Sequence, residues 1–395
     1  MSIIKINDNS NKLFYIGGVV RDELLGRESL DVDITYVGNA IEYCSKFGEV
    51  VQVNPDFGTV MVAINPLPNF SHSHSDNGEI LPSHRERGQK VTVDFASTRS
   101  ESYPKKGHLP VVEKIGCSLR EDVMRRDFTI NALAKSVTTE EIVDYVGGLE
   151  DLKNKKLRVL HDESFIDDPT RIIRGLKFAT RFGFELEEHT KKLQDEYLAN
   201  INYDLSYKRV KKELIETFSL NSQSAFQKFI DQKIYKLVTP NDVEIPKVDV
   251  ENFINKYLAD QPSSCPAAIW LVYVGILGDL SRLPLTKIEQ KILDNVPKEV
   301  LKSDFELYKT FQNARIETVL LYAITKDETG ARHYLDDLRK IKLDITGKDL
   351  QTLGIKPSPK YQEIFDEVLK VKLKNPSMTK DDEIEVAKTL SLYRK

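Results

Sequence analysis

Cysteine is scarce in this 395-residue chain, and its three copies, Cys44, Cys117 and Cys265, fall at spacings that suit neither a disulfide framework nor a metal site. The expected setting is therefore a reducing cytoplasm. No run of about 18 apolar residues is present to span a bilayer, and no apolar N-terminal stretch reads as a secretory signal. The most apolar segment, Ala267 to Leu277, holds the only Trp and reads as a buried helix. Nor does one sign of charge dominate, since the formal net charge is -4. Any binding of a polyanion must come from local clusters of Lys and Arg rather than from the balance of the whole chain. With 40% hydrophobic residues, the chain has material for two to four domains with real cores.

Against these absences, the N-terminal segment is dense in chemistry. Phe14 to Ile16 reads as the end of a strand, and Gly17-Gly18 lets the backbone approach a phosphate without a Cβ in the way. Val19 to Leu25 begins a helix whose N-terminal amides favour an anion, and Gly26 suits its stop. Arg21 adds a planar fork of donors matched to phosphate oxygens. In the following strand Asp31 and Asp33 point to one face while Val32 and Ile34 point to the other. Two carboxylates crowded on one face call for a cation, and Mg²⁺, a hard ion shared with substrate phosphates, is the expected occupant. Lys90 to Ala96 alternates like a strand and carries Asp94 near its end. Beside the first strand, Asp94 would reach the same ion or take a proton from an attacking hydroxyl; otherwise it bonds turn amides.

Further along, Ser118-Leu119-Arg120-Glu121 is a capping box that starts a helix ending in Arg125-Arg126-Asp127. Thr129 to Ser136 and Glu141 to Tyr145 read as a hairpin around Val137 to Glu140. At Asp167-Asp168-Pro169, the Asp-Pro pair forms a helix start, and Asp168, Arg171 and Arg174 fall three apart along one helix face. Strand-like patterns stop near residue 145, after which the apolar spacing is helical.

The ordered set Gly17-Gly18-x-x-Arg21-Asp22, Asp31-x-Asp33, Arg125-Arg126-Asp127 to Ala132, and Asp144-x-x-Gly147-Gly148-x-x-Asp151-Leu152 resembles the bacterial-type class II tRNA nucleotidyltransferases and their poly(A) polymerase relatives. Leu205-Ser206-Tyr207-Lys208-Arg209-Val210 resembles the last family motif. The resemblance implies an α+β fold: a nucleotidyltransferase head (1–145) with a mixed sheet and flanking helices, then an all-α neck (146–205), body (206–330) and tail (331–395). It implies template-independent transfer of CMP or AMP from CTP or ATP to the 3′ end of tRNA, with pyrophosphate released. Full CCA addition, A addition alone and poly(A) synthesis stay open, as does a noncatalytic RNA-binding module on the same fold.

By the same resemblance Asp31 and Asp33 bind Mg²⁺ and are catalytic with Asp94; Gly17, Gly18, Arg21, Arg126 and Asn131 hold the nucleotide. Asp168 and Arg171 read the base, with Arg174 as a further contact. A carboxylate only accepts and a guanidinium only donates, a pattern that suits the amino donor and ring-nitrogen acceptor of cytosine and adenine. Asp167 stands where the family usually has Glu, and Lys177 where Arg is common. Thr98 to Val112, with its Gly, Pro and charges, is expected to be a mobile loop of the kind that helps relatives pass from CTP to ATP. Lys208 to Lys212 and a basic tail from Arg339 to Lys374 are expected to meet tRNA, with Ile345 to Pro359 forming a helix, a glycine turn and a new helix start. Asn65 to Gln89, despite His72, His74, Asp76 and His84, reads as an inserted loop rather than a metal site, and His161-Asp162 as a surface turn.

Overall fold

Short alternating segments build the N-terminal half around one mixed sheet. The computed structural model describes residues 6, 8, 10–29, 32–64, 90–243, 249–258, 268–357 and 359–393. Contacts group the chain into two units, Met1–Glu213 with Asp231–Leu237, and Leu214–Ile230 with Val238–Lys395.

In the first unit the strands are β1 (Leu13–Ile16), β2 (Asp33–Tyr36), β3 (Glu49–Asn54), β4 (Thr59–Ile64), β5 (Val91–Ser97), β6 (Arg99–Ser102), β7 (Val111–Ile115), β8 (Ala134–Ser136) and β9 (Ile142–Val143). Seven of them form a sheet in the order β3-β4-β5-β2-β1-β8-β9, with β2 and β5 parallel and the other neighbours antiparallel. Ile34, Val60, Val62, Val93 and Phe95 are buried on its inner face. Because side chains alternate, the residues flanking Ile34 and Phe95 face the other way, and the buried apolar set thereby fixes which face carries the polar ones.

The helices of this unit are α1 (Gly18–Leu24), α2 (Ala40–Cys44), α3 (Leu119–Met124), α4 (Gly148–Lys153), α5 (Ser164–Asp167), α6 (Thr170–Phe182), α7 (Glu188–Ala199) and α8 (Tyr207–Phe218), which crosses the boundary at Glu213. The expected capping box opens α3: Glu121 N–H donates to Ser118 Oγ at 3.2 Å and Ser118 N–H to Glu121 Oε2 at 2.8 Å. Two details differ from the sequence reading. Residues 129–131 form a 3₁₀ turn rather than strand, because Thr129 donates to Asp151 and Asn131 to Asp127. A two-residue parallel pair, β10 (Lys156–Leu157) with β11 (Glu185–Leu186), lies in the otherwise helical neck and is too short to leave an alternating pattern.

The Asp144-x-x-Gly147-Gly148-x-x-Asp151 motif is explained locally. Asp144 accepts four backbone N–H groups, from Val146, Gly147, Gly148 and Leu149 at 2.9 to 3.0 Å, at the start of α4. A Cβ at Gly148 would collide with the Thr129 carbonyl, so α4 lies directly against the 3₁₀ turn. Asp151 then holds Thr129 at 2.7 Å and takes both Nε and NH2 of Arg158.

In the second unit the helices are α9 (Gln223–Asp231), α10 (Val250–Leu258), α11 (Ile269–Gly275), α12 (Lys287–Asp294), α13 (Asp304–Phe311), α14 (Ile316–Thr325), α15 (Glu328–Asp336), α16 (Gly347–Thr352), α17 (Lys360–Lys374) and α18 (Lys380–Tyr393). Trp270 is buried in α11 as expected, and Phe218, Phe226, Phe229 and Tyr273 pack as an aromatic cluster with centroids 5.1 to 6.5 Å apart. Ile345 to Pro359 gives α16, a turn at Gly354 (φ +77°) and the approach to α17. One residue leaves the expected basic tail surface: Lys372 is buried and pairs with Glu383 and with Asp344 at 2.6 Å. Lys342, Lys348, Lys356, Lys360 and Lys374 stay exposed. Among the described residues, no helix is long and apolar enough to cross a membrane.

Burial works to raise the Asp144 carboxyl, but the four amides outweigh it and hold it below its ordinary value. Its stabilisation is full above the usual carboxylate range and fades as pH falls through the folded value. Asp144→Ala is expected to cost about 2 kcal/mol at neutral pH, read as a lower thermal midpoint; an unchanged midpoint would refute the cap.

Candidate active site

The parallel pairing of β2 with β5 sets Asp33 directly opposite Asp94. Both are exposed, while Ile34 and Phe95, the next pair in register, are buried. Two carboxylates thus share one open face of the sheet. Asp31 lies outside the described residues. Hard oxygen donors from two adjacent strands suit a divalent cation shared with phosphate. Among the described residues no group of three or more His, Cys, Asp or Glu is gathered for a metal, so Asp33 and Asp94 would need substrate oxygens or Asp31 to complete a shell. The histidines at 72, 74 and 84, with Asp76, also lie outside the described residues.

At the end of β1, Gly17 adopts φ +72°, a conformation costly for a residue with a side chain. A Cβ there would meet Arg126 NH1 at 2.8 Å. The Arg126 guanidinium therefore rests against the glycine turn, with NH1 donating to the Asn131 carbonyl at 3.5 Å and NH2 pairing with Asp122 at 3.3 Å. Its buried Nε has no hydrogen-bond partner among the described residues. Burial pushes Arg126 down while Asp122 pushes it up, Arg125 works against it, and Asp33 adds a favourable charge. Arg126 is thus electrostatically linked to the carboxylate face and keeps donor capacity unspent.

Arg21 is placed differently from the expectation of an open phosphate fork. It is 4% exposed, donates to Asn131 Oδ1 at 2.5 Å and gives Nε and NH2 to Asp22 at 2.9 and 2.7 Å. Its guanidinium also lies 4.5 Å from the Phe182 ring centroid. Arg125, next to Arg126, is likewise committed, to Asp122 at 2.9 Å and Glu101 at 3.0 Å. Asn131 joins these elements: its amide donates to Asp127, its Oδ1 accepts Arg21, and its carbonyl accepts Arg126.

Asp127 is the hub between the 3₁₀ turn and α6. One oxygen accepts Phe128 N–H and Asn131, and the other accepts Arg174 Nε and NH2 at 2.8 and 2.7 Å. Arg174 NH1 continues to Glu213 at 3.2 Å, which also takes Lys177 at 2.8 Å. Arg174 therefore points into this bridge, and Lys177 serves the same carboxylate.

Just before α6, Asp168 Oδ1 accepts Thr170 N–H at 3.1 Å and Thr170 Oγ1 at 2.6 Å; the helix begins at Thr170 with Pro169 at its N-cap, so Asp168 precedes the helix that carries Arg171 and Arg174 rather than lying on its face. Its other oxygen pairs with Arg209. Arg171 gives NH1 to Ser164 at 2.6 Å and NH2 to the Arg125 carbonyl at 2.9 Å and Tyr103 Oη at 3.3 Å. Both expected base readers are buried and engaged. Arg209, expected within a surface basic cluster, instead belongs to this site.

Thr98 to Val112 is not an open loop. It forms the antiparallel hairpin β6–β7, whose tip bonds α5 and the start of α8: Lys106 to Glu163 at 3.1 Å and to Asp167, Gly107 N–H to the Asp167 carbonyl at 3.0 Å, and Ser206 N–H to the Gly107 carbonyl at 3.0 Å. Asp167 thus anchors the hairpin. A cavity of about 480 Å³ lies between the hairpin and α3, lined by Tyr103, Lys106, Arg120, Arg125, His161 and Asp167 among others. His161 faces this space beside Asp167 rather than serving only as a surface turn.

Residues 13–158 match the family described as the poly A polymerase head domain. That match covers 146 of the 395 residues and speaks for the N-terminal part of the chain. An A-adding tRNA nucleotidyltransferase from Geobacter sulfurreducens is 31% identical over 430 residues, covering 96% of this chain and 45% of the relative. One of the same name from Halalkalibacterium halodurans is 28% identical, covering 89% and 82%. A CCA-adding enzyme from Bacillus pumilus is 25% identical, covering 96% and 93%. The chain spans less than half the length of the Geobacter relative and of a similar Aquifex aeolicus one. Among solved structures, a CCA-adding enzyme with CTP shares the fold at TM-score 0.73 and 22% identity, covering 97% of this chain and 91% of that one. A tRNA-processing enzyme complex reaches 0.61 at 26% identity, covering 92% and 96%. Within the matched residues Gly17, Arg126, Asn131, Asp33 and Asp94 form one neighbourhood, and beyond them Asp168 with Arg171 forms a second, joined to the first by Arg125 and Asp127.

Burial would raise the Asp127 carboxyl, but Arg174, Asn131 and Arg171 together hold it well below the usual range. The pairing stabilises the fold above about pH 4 and is lost on acidification below that. Asp127→Asn is expected to lower stability by about 2 kcal/mol at pH 7. The gap to the parent chain should shrink as denaturation curves are repeated toward pH 3; a gap that widened instead would contradict the assignment.

Proposed function

We propose that the chain is a nucleotidyltransferase that adds CMP or AMP, from CTP or ATP, to the 3′ end of tRNA in the cytoplasm, without a template. The observation that carries this reading is the register of Asp33 with Asp94 on an exposed sheet face beside the Gly17–Arg126 contact. The 3′ hydroxyl attacks the α-phosphorus of the nucleotide, a P–O bond forms to that oxygen, and the bond to the β-phosphate oxygen breaks to release pyrophosphate. Asp94 is suited to accept the hydroxyl proton. Gly17 and Gly18 allow close approach of the phosphates, and Arg126 donates to them. Arg21 and Asn131 act behind that contact by holding the turn in shape. Mg²⁺, held by Asp31 and Asp33, would supply positive charge against the triphosphate and the developing oxyanion.

Base choice falls to Asp168 and Arg171, an acceptor and a donor group that match the edge common to cytosine and adenine. A mismatched base leaves buried groups unpaired, at about 1–3 kcal/mol each. Arg174 is better suited to hold α6 against the head than to touch nucleotide. The exposed lysines of α16, α17 and their flanks support contact with the tRNA backbone.

Addition of A alone is the second reading. It is favoured by the names of the 31%-identical relatives. Transcripts ending before CCA, after one C and after CC, each offered CTP, ATP or both with Mg²⁺, separate the two. Growth of all three to a common CCA end marks full addition, and growth of the CC-ended one alone with ATP marks the A-adding specialist. A long A ladder on any RNA would favour a poly(A) polymerase, and no extension would overturn the proposal.

Asp33→Ala is expected to lower extension by at least about 100-fold while leaving the thermal midpoint nearly unchanged, since Asp33 is exposed. Extension left unchanged by Asp33→Ala would refute the catalytic role of Asp33, whereas a parent chain that binds RNA without extending it would be the noncatalytic RNA-binding module.

A further inference from the structure

Arg209 lies in the first turn of α8, in a run of Lys and Arg that the sequence alone assigns to a solvated or RNA-facing surface. Its side chain turns inward: one exposed quarter remains, NH2 pairs with Asp168 Oδ2, and NH1 donates to the His108 carbonyl at 3.2 Å. The carboxylate of Asp168 is thereby held at both ends. Oδ1 accepts the amide and hydroxyl of Thr170, which fills its two lone-pair directions. Oδ2 accepts Arg209 and has one direction left. A single remaining acceptor on a buried carboxylate is what an exocyclic amino group requires.

We infer that Arg209 is a positioning residue for base choice, fixing the rotation of the Asp168 carboxylate and keeping it an acceptor. This rests on Asp168 reading the base, as proposed above. A buried carboxylate that loses its cation favours the neutral form, and a neutral carboxyl carries one O–H donor. A donor at that point fits the carbonyl oxygen that uracil and guanine present where cytosine and adenine present an amino group. Loss of Arg209 should therefore relax the choice toward UTP and GTP, rather than merely weaken every nucleotide alike.

The other titratable groups around Asp168 do not supply an alternative switch. Tyr103 from the β6–β7 hairpin and Tyr197 from α7 both interact with it electrostatically, and burial pushes both phenols up, so they stay neutral through the working range. From the hairpin tip, His108 meets Arg209 only through its backbone carbonyl, its ring pairing with Asp204 at 3.0 Å. Lys106 pairs with Asp167 and Glu163.

The test is calorimetric binding of CTP, ATP, UTP and GTP to the full chain with Mg²⁺, at pH 6 and pH 8, for the parent, Arg209→Met and Arg209→Lys, with thermal midpoints alongside. The parent is expected to prefer CTP or ATP. Arg209→Met is expected to narrow that preference about tenfold, and Arg209→Lys to restore part of it. A parent that prefers and an Arg209→Met variant that keeps the same preference at both pH values would overturn the inference alone. Uniform weakening of all four nucleotides would do the same, since that marks a merely structural residue. A parent that binds none of the four, or all equally, would overturn the base-reading assignment and this inference with it.

Discussion

The ion pair between Asp127 and Arg174 is the constraint on which the site depends. Asp127 follows directly on the arginine pair that ends α3, and Arg174 sits one turn beyond Arg171 on α6, so their bond sets the distance between the expected phosphate contact and the expected base readers. Asn131 extends the same carboxylate toward Arg21 and the glycine turn. On the other side, Arg174 extends it toward Glu213 and Lys177. A buried pair of this kind adds little to stability compared with an apolar core, but it is directional, and leaving either partner alone is costly. Direction is what a site assembled from α1, α3, α6 and a 3₁₀ turn needs.

A second principle is that most guanidiniums here are committed to the protein. Arg21, Arg125, Arg171, Arg174 and Arg209 each donate to a named acceptor, and several meet two. Their planar forks suit this, since each can hold two elements at a fixed angle. Arg126 differs in keeping a buried Nε with no hydrogen-bond partner among the described residues, and it lies against Gly17, where a Cβ would come within 2.8 Å of its NH1. A buried donor left unsatisfied normally costs stability.

Much of this was legible in the sequence because the signals are local. The glycine pair, the Ser118 capping box, the Asp168-Pro169 helix start and the alternation in Lys90 to Ala96 each correspond to a backbone feature one or two turns long. The parallel register of Asp33 with Asp94 was expected only conditionally, since pairing between distant strands leaves no local trace. Three placements were not legible. Arg21 and Arg209 look like surface or phosphate-facing charges, but their partners Asn131 and Asp168 are brought in by tertiary packing. Lys372 sits among solvated lysines in the sequence, and only the approach of α17 to α18 shows that Glu383 takes it. The hairpin at 99–115 reads as a loop because its strands are short, β6 is wholly polar and β7 buries none of its apolar side chains, so no apolar alternation marks them.

The clasp between that hairpin and the neck combines two kinds of bond. The pairs made by Lys106 with Glu163, and by Lys105 and His108 with Asp204, join side chains largely open to water. The bonds from Gly107 to the Asp167 carbonyl and from Ser206 to the Gly107 carbonyl are backbone bonds beside Leu205. Dissolved ions weaken the first kind modestly at 0.1 M, where the Debye length is about 10 Å, and more toward 1 M, where it is about 3 Å, and they barely touch the second. Ionic strength therefore acts on this hairpin as a graded release: more salt loosens its charged rim while the two amide contacts keep the tip in register with Asp167 and the helix start beside Asp168.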